Sequence, residues 1–388
     1  MEDKNQQLRV FLVDIVTKDT NTELLEDRIK ELENLVETYG WLVILKKFQK
    51  RDTPDYKTYV GKGKLEEIMA DMQRLDANLL IVGNVMKPSQ IYQINELLRP
   101  IGAKVRDRID LILKIFDKHA TGMEARLQIE LAAIRHMWPR IFGMGMELSR
   151  QGGNSGWGWG ASRGIGETNT ERMKRHLKVQ VLKIEKELKE YEKMRKLHRD
   201  SRIKKGMPTV GIVGYTNTGK SSLLNVMTKK WILAENKLFA TLWTHVGKVY
   251  IMKNPETGEC NRTKWGSPAE RGKEVLLNDT IGFIRDLPPK LIKSFSSTLE
   301  DSIESELLLH VIDASDPFID ERISIVNHIL DEIWAKQKRI MVFNKIDLLD
   351  KTQLAELKKH FPQKENVRVS VKEGTNLEEI KKAIIENL

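Results

Sequence analysis

The sequence predicts an α/β protein: an N-terminal α/β domain with a long antiparallel helical hairpin, then a second α/β domain with a mostly parallel sheet and helices on both faces. Three observations predict it. Short β-branched runs alternate with amphipathic segments over about the first hundred residues, and two apolar stripes of helical period follow between 123 and 191. Strand and helix signals then alternate again after Pro208. The expected boundaries are 1–115, 116–206 with a glycine-rich tip at 143–166, and 207–388.

Leu8 to Val16 and Trp41 to Phe48 are rich in β-formers and read as strands. Between them, Glu23 to Val36 places Leu24, Leu25, Ile29, Leu32 and Val36 on one helical face. Leu65 to Met72 is a helix preceded by Gly61-Lys62-Gly63-Lys64, and Asn78 to Val82 is a further strand. Pro88 opens the next helix at a first-turn position, where its missing N–H would have no partner anyway. In the hairpin, Met123, Leu127, Leu131, Ile134 and Trp138 form one stripe; Met173, Leu177, Val181, Ile184, Leu188 and Tyr191 form the other. Seven glycines crowd residues 152–166, so the intervening tip is expected to be irregular. Lys204-Lys205-Gly206 and Pro208 mark the boundary to the strands Thr209–Val213, Lys273–Asn278, Glu306–Ile312, Arg339–Phe343 and Val367–Val369.

Composition narrows the function classes. The 388 residues contain one cysteine, Cys260, which excludes an internal disulfide and a multi-thiolate zinc site and suits a reducing compartment. No apolar run approaches the length of a membrane span, and Met1 to Gln7 is polar, so a cytoplasmic monomer without membrane attachment is expected. The formal charge of +10 is concentrated: residues 147–206 hold 16 Lys and Arg against 8 Asp and Glu. That excess fits either a polyanion partner or a solvated helix face built from good helix formers. The tip adds Arg150, Trp157, Trp159 and Arg163, which suit base stacking and phosphate contact better than an inert connector. Together with Arg172, Lys174, Arg175 and Lys178 on the following helix, they are the expected RNA contacts.

The second domain carries the specific signal. Gly214-Tyr215-Thr216-Asn217-Thr218-Gly219-Lys220-Ser221 matches G-x-x-x-x-G-K-[ST], follows a strand and opens a helix from Ser222. Such a loop turns backbone N–H groups onto phosphate oxygens, Lys220 reaches the terminal phosphates and Ser221 takes Mg²⁺. Asp279-Thr280-Ile281-Gly282 ends a strand, as expected of a carboxylate and glycine that sense Mg²⁺ and the γ-phosphate. Asn344-Lys345-Ile346-Asp347 ends another, where Asp347 can accept paired hydrogen bonds from guanine but not from adenine. Ser370-Val371-Lys372 would cover the base. Four motifs in this order point to a GTP/GDP site of the translation-factor and Ras-like type. Thr241 is preferred over Thr244 as the switch threonine that closes over Mg²⁺, which makes Lys220, Thr241 and Gly282 the expected catalytic groups. Phe283 stands where Ras-like enzymes place a water-orienting glutamine, so slow unassisted hydrolysis is expected.

The chain resembles the HflX family of ribosome-associated GTPases over nearly its whole length. Tyr59-Val60-Gly61-Lys62-Gly63-Lys64-Leu65, the run Arg106 to Phe116, Leu127 to Ala132, Gly164-Ile165-Gly166-Glu167-Thr168, Leu238 to Leu242 and Asp279 to Pro289 carry the likeness. Trp157 and Trp159 depart from the family's arginine-rich tip, and Trp243-Thr244-His245 from its usual switch sequence; the extra C-terminal domain of some relatives is not expected. The resemblance implies a factor that binds the large ribosomal subunit near the peptidyl-transferase centre and splits stalled or idle ribosomes, with GTP hydrolysis driving release. Two alternatives stay open: a silencing or assembly factor using GTP as a timer, and ATP-dependent RNA remodelling in the N-terminal domain, where Gly61-Lys62-Gly63-Lys64 would meet the phosphates. Asn217 likewise has two readings, a K⁺ holder as in related GTPases or a loop-internal hydrogen bond.

Overall fold

β1 (Arg9–Val16) is an inner strand of a four-stranded parallel sheet in the order β2-β1-β3-β4, with β2 at Leu42–Lys50, β3 at Leu79–Val82 and β4 at Lys104–Arg106. This computed structural model describes residues 8–17, 21–120, 122–141, 162–204, 206–228, 245–251, 273–287, 291, 304–363 and 366–388, and divides into two compact units, Met1–Lys189 and Glu190–Leu388. The first unit adds α1 (Thr22–Tyr39), α2 (Lys62–Arg74), α3 (Pro88–Leu98), α4 (Arg108–His119) and α5 (Met123–Met137). Asn21 caps α1 by accepting from the Glu23 N–H, and Gly40, at φ +101°, ends it in the left-handed conformation that glycine adopts most easily. On one sheet face Phe11, Val13, Leu80, Val82 and Val105 pack with Leu65, Ile68 and Met72 of α2 and Ile91, Ile94 and Leu98 of α3. A buried ion pair, Arg108 with Glu31, joins α4 to α1.

β4, only three residues long, is too short to show a period in the sequence. In α4, Ile109, Leu111, Ile112, Leu113, Ile115 and Phe116 are buried, while Asp110, Lys114, Asp117 and Lys118 share a narrow, partly exposed polar face. The N-terminus of α4 is signalled by Asp107, whose carboxylate accepts from the Asp110 N–H at 2.9 Å. The same two carboxylates hold the chain just beyond α5: Arg140 Nη2 lies 2.7 Å from Asp107 Oδ2 and Nη1 2.7 Å from Asp110 Oδ2. His136 Nε2 is 3.3 Å from Asp107 Oδ1. Burial works to lower the His136 pKa, but the two carboxylates outweigh it and hold it above the ordinary imidazole value. Although Asp107, Asp110 and His136 are spaced to hold a metal, the Arg140 guanidinium already pairs with both carboxylates.

Leu127, Leu131 and Ile134 of the first helical stripe are buried, whereas its ends, Met123 and Trp138, are exposed. The second stripe lies on α6 (Ser162–Lys204), where Leu177 and Ile184 are buried. Arg135 Nη2 donates to Glu185 at 2.9 Å and Gln180 to Glu130, tying α5 to α6. Residues 142–161 lie outside the described residues. Gly164 and Gly166, expected in an irregular tip, instead have helical backbone in α6. Glycine costs a helix only about 1 kcal/mol relative to alanine, and the long run of Lys, Glu and Leu that follows favours extending the helix through them.

In the second unit β5 (Thr209–Gly214), α7 (Lys220–Thr228), β6 (His245–Ile251), β7 (Lys273–Asp279), β8 (Leu307–Asp313), α8 (Ile319–Glu332), β9 (Lys338–Asn344), α9 (Lys351–His360), β10 (Val367–Arg368) and α10 (Leu377–Asn387) follow. The sheet order is β10-β9-β8-β5-β7-β6, parallel except for β6, which pairs antiparallel with β7 at the edge. Val210, Ile212, Leu309, Val311 and Val342 pack on one face with α7 and α10. Ile312 and Phe343 pack with Ile323 of α8 and Leu357 of α9, so helices cover both faces, as the apolar strands require. No helix among the described residues is long and apolar enough to cross a membrane.

Candidate functional site

The expected nucleotide residues converge beyond the C-terminal ends of β5, β7, β9 and β10. Between β5 and α7 the chain turns through Gly214 at φ +154° and Gly219 at φ +91°. A Cβ at Gly214 would collide with the Val311 carbonyl oxygen, and one at Gly219 with Asn344 Nδ2, so neither position admits a side chain. Lys220, the first residue of α7, is buried and donates from Nζ to the Tyr215 carbonyl at 2.6 Å. Burial pulls its pKa down to about 8, against the opposing field of Asp279. A cation held this way without full solvation favours an anionic ligand, which would restore its charge partner.

Ser221 Oγ donates to Asp279 Oδ2 at 2.6 Å, which brings together the two expected Mg²⁺ residues from α7 and β7. A hydroxyl and a carboxylate oxygen are the donor types a hard divalent cation takes. The neighbouring Thr280 hydroxyl donates to the Ile212 carbonyl at 2.7 Å and anchors the segment to β5. Thr218 Oγ1 donates to the Tyr215 carbonyl at 3.0 Å, closing the loop on itself. Asn217 is exposed at φ +63°. Phe283 is buried and joins the phosphate loop through its backbone: the Thr216 N–H donates to its carbonyl at 2.8 Å, and its own N–H to the Gly214 carbonyl at 3.1 Å.

On the base side, Asn344 links three loops. Its Nδ2 donates to the Thr218 carbonyl at 2.9 Å and its Oδ1 accepts from the Val371 N–H at 3.1 Å. Ser370 Oγ donates to Asp347 Oδ1 at 2.6 Å, orienting the carboxylate expected to read the base. Lys345 adopts the left-handed conformation at φ +65° and places Nζ 2.5 Å from Asp313 Oδ2. Asp313 was not anticipated, although a carboxylate at a strand's C-terminal end is the same signal that marks Asp279. Lys372 is exposed, and Ser222 is half-buried on α7. Thr241, Thr244, Arg150, Trp157 and Trp159 lie outside the described residues, as does the side chain of Arg163.

Three consecutive stretches match known families: 26–117 the N-terminal region of GTP-binding GTPases, 119–202 their middle region, and 209–345 the 50S ribosome-binding GTPases. The GTPase HflX of Caldanaerobacter subterraneus subsp. tengcongensis is 40% identical over 343 residues, which are 88% of this chain and 73% of that protein. The chain belongs to the HflX family of GTPases. Escherichia coli GTPase HflX is 34% identical over 370 residues, covering 95% of this chain and 80% of that protein. A crystal structure titled SsGBP and GDP complex is 25% identical, covers 98% of each chain and has a TM-score of 0.49. As an HflX-family GTPase the protein binds GTP and GDP and hydrolyses GTP.

Proposed function

We propose that this GTPase binds the large ribosomal subunit through its helical arm and separates idle or stalled ribosomes into subunits, with GTP hydrolysis driving its release. The observation that carries the reading is a division of labour: a guanine-nucleotide pocket in one unit, and a cationic helix in a chain of this family. Arg172, Lys174, Arg175 and Lys178 are all exposed on α6 while Leu177 among them is buried, so the helix can pack by one side and offer charge on another. Such a face suits rRNA phosphates, and Arg150, Trp157, Trp159 and Arg163, earlier in the sequence, would add stacking and phosphate contacts.

Within the pocket, the phosphate loop from Gly214 to Ser222 would receive the phosphates, with Lys220 as their buried cation and Gly282 as the sensor of the terminal one. Ser221 and Asp279, with Thr241, would hold Mg²⁺, which supplies charge neutralisation to the phosphates. Asn344, Lys345, Asp347, Ser370, Val371 and Lys372 would enclose guanine. GTP favours the ribosome-bound arrangement only to the extent that it binds that arrangement more tightly. The test is light scattering of intact ribosomes mixed with the protein and a non-hydrolysable GTP analogue. A fall in scattering is expected; none at saturating protein removes splitting and leaves a silencing or assembly role.

A further inference from the structure

Tyr215, second in the phosphate loop, has a phenol tied to the segment that follows Gly282. The Arg285 backbone N–H donates to Tyr215 Oη at 3.0 Å, and Arg322 Nη1 donates to the same oxygen at 2.9 Å. The Arg322 guanidinium also lies over the ring, 4.3 Å from its centroid, and its Nε is held by Asp316 Oδ2 at 3.2 Å. Arg285 Nη2 meets Glu321 Oε2 at 3.1 Å, one residue before Arg322 on α8. Tyr215, Arg285 and Arg322 are all buried. With the backbone bonds between Phe283 and Gly214 and Thr216, these contacts join the first turn of α8, the phosphate loop and residues 283–285 into one unit.

What that unit presents to the pocket is Gly282. A Cβ built there would come within 2.8 Å of Thr216 Cγ2 and 2.9 Å of Lys220 Nζ, so the glycine backbone is already seated against the loop and its lysine. A segment that waits in position loses less conformational freedom when a terminal phosphate arrives.

We propose that the Tyr215 hydroxyl and Arg322 are positioning groups that hold residues 282–285 docked on the phosphate loop before nucleotide binds, presetting the Gly282 backbone for the terminal phosphate of a triphosphate. This rests on the reading of 279–282 as the γ-phosphate sensor. A network that only packed α8 would affect GDP and GTP alike. One that places 282–285 favours the triphosphate selectively, because GDP has no phosphate to meet that segment.

The experiment measures the affinities of GDP and a non-hydrolysable GTP analogue, with single-turnover GTP hydrolysis, for the full chain and for Tyr215→Phe, Arg322→Leu and the double variant. The analogue-to-GDP affinity ratio is expected to fall at least about fivefold in Tyr215→Phe, which removes both bonds to the phenol oxygen, and by less in Arg322→Leu, which leaves the Arg285 N–H bond in place. The double variant should fall no further than Tyr215→Phe, since the phenol oxygen is the shared link. Hydrolysis should slow in step with the ratio. An unchanged ratio, or equal losses for the two nucleotides, overturns the proposal, and so do additive losses in the double variant. The underlying reading fails by a different route: a wild-type ratio in Gly282→Ala, whatever Tyr215 and Arg322 do.

Discussion

Binding of GTP should take up a proton above pH 8, and Lys220 is the reason. In the free protein its ammonium is buried against the Tyr215 carbonyl, and desolvation lowers its pKa to about 8. Phosphate oxygens beside it favour the charged form and should return the pKa to the ordinary lysine range or above. At pH 7 about nine-tenths of the free lysine is already protonated, so uptake on binding is roughly 0.1 proton. At pH 8.5 only about a quarter is protonated, so uptake rises to roughly 0.75 proton, still below the range where the guanine base itself ionises. The assay is titration calorimetry at each pH in two buffers of different ionisation enthalpy, whose difference in apparent heat gives the protons exchanged. Equal uptake at the two pH values would refute the argument. The stability of the nucleotide-free protein carries the same linkage with a definite sign. Lys220 has a lower pKa folded than unfolded, so its destabilising contribution is fully present below pH 8 and is relieved as pH rises toward the unfolded value near 10.4.

Asp347→Asn should weaken GTP about 10- to 100-fold, the cost of losing charge-assisted bonds to the base, while improving xanthine nucleotide binding; unchanged guanine preference in competition assays would exclude Asp347 as the base reader. Glu31→Leu removes the carboxylate paired with the buried Arg108 guanidinium and should cost up to about 3–5 kcal/mol of N-terminal unit stability, read as a fall in urea midpoint; a midpoint that does not move would show the pair to be dispensable. Replacing Arg172, Lys174, Arg175 and Lys178 by Gln should leave nucleotide affinity intact and flatten the log–log salt dependence of ribosome binding by up to about 3 units. A fall in nucleotide affinity instead would make the cationic helix structural.

Much of the fold is legible because local chemistry and burial agree. The strands Arg9–Val16 and Leu79–Val82 and the helix Pro88–Leu98 follow directly from β-branched runs, apolar spacing and the first-turn proline. β4 is not legible, because three residues are too few to show a period. β6 is not, because an antiparallel edge strand of mixed residues, His245–Ile251, has neither a continuous apolar run nor a strict alternation. Of the pocket, the residues proposed to meet phosphate or base stand in short motifs of fixed spacing, which is why they could be read. Asp313, Arg285 and Arg322 could not, because each acts through partners as far as 107 residues away in sequence.

The order of residues alone therefore determined the chemistry to expect: which backbone turn suits phosphate, which carboxylate suits guanine, and where positive charge gathers along the chain. Folding decided the energetics of those groups. Lys220 has a lowered pKa only because folding buries it, and Tyr215 bears on Gly282 only because folding brings the Arg285 N–H and Arg322 to its hydroxyl. Desolvation and long-range hydrogen bonds depend on which surfaces meet in space, and local spacing along a chain does not encode that.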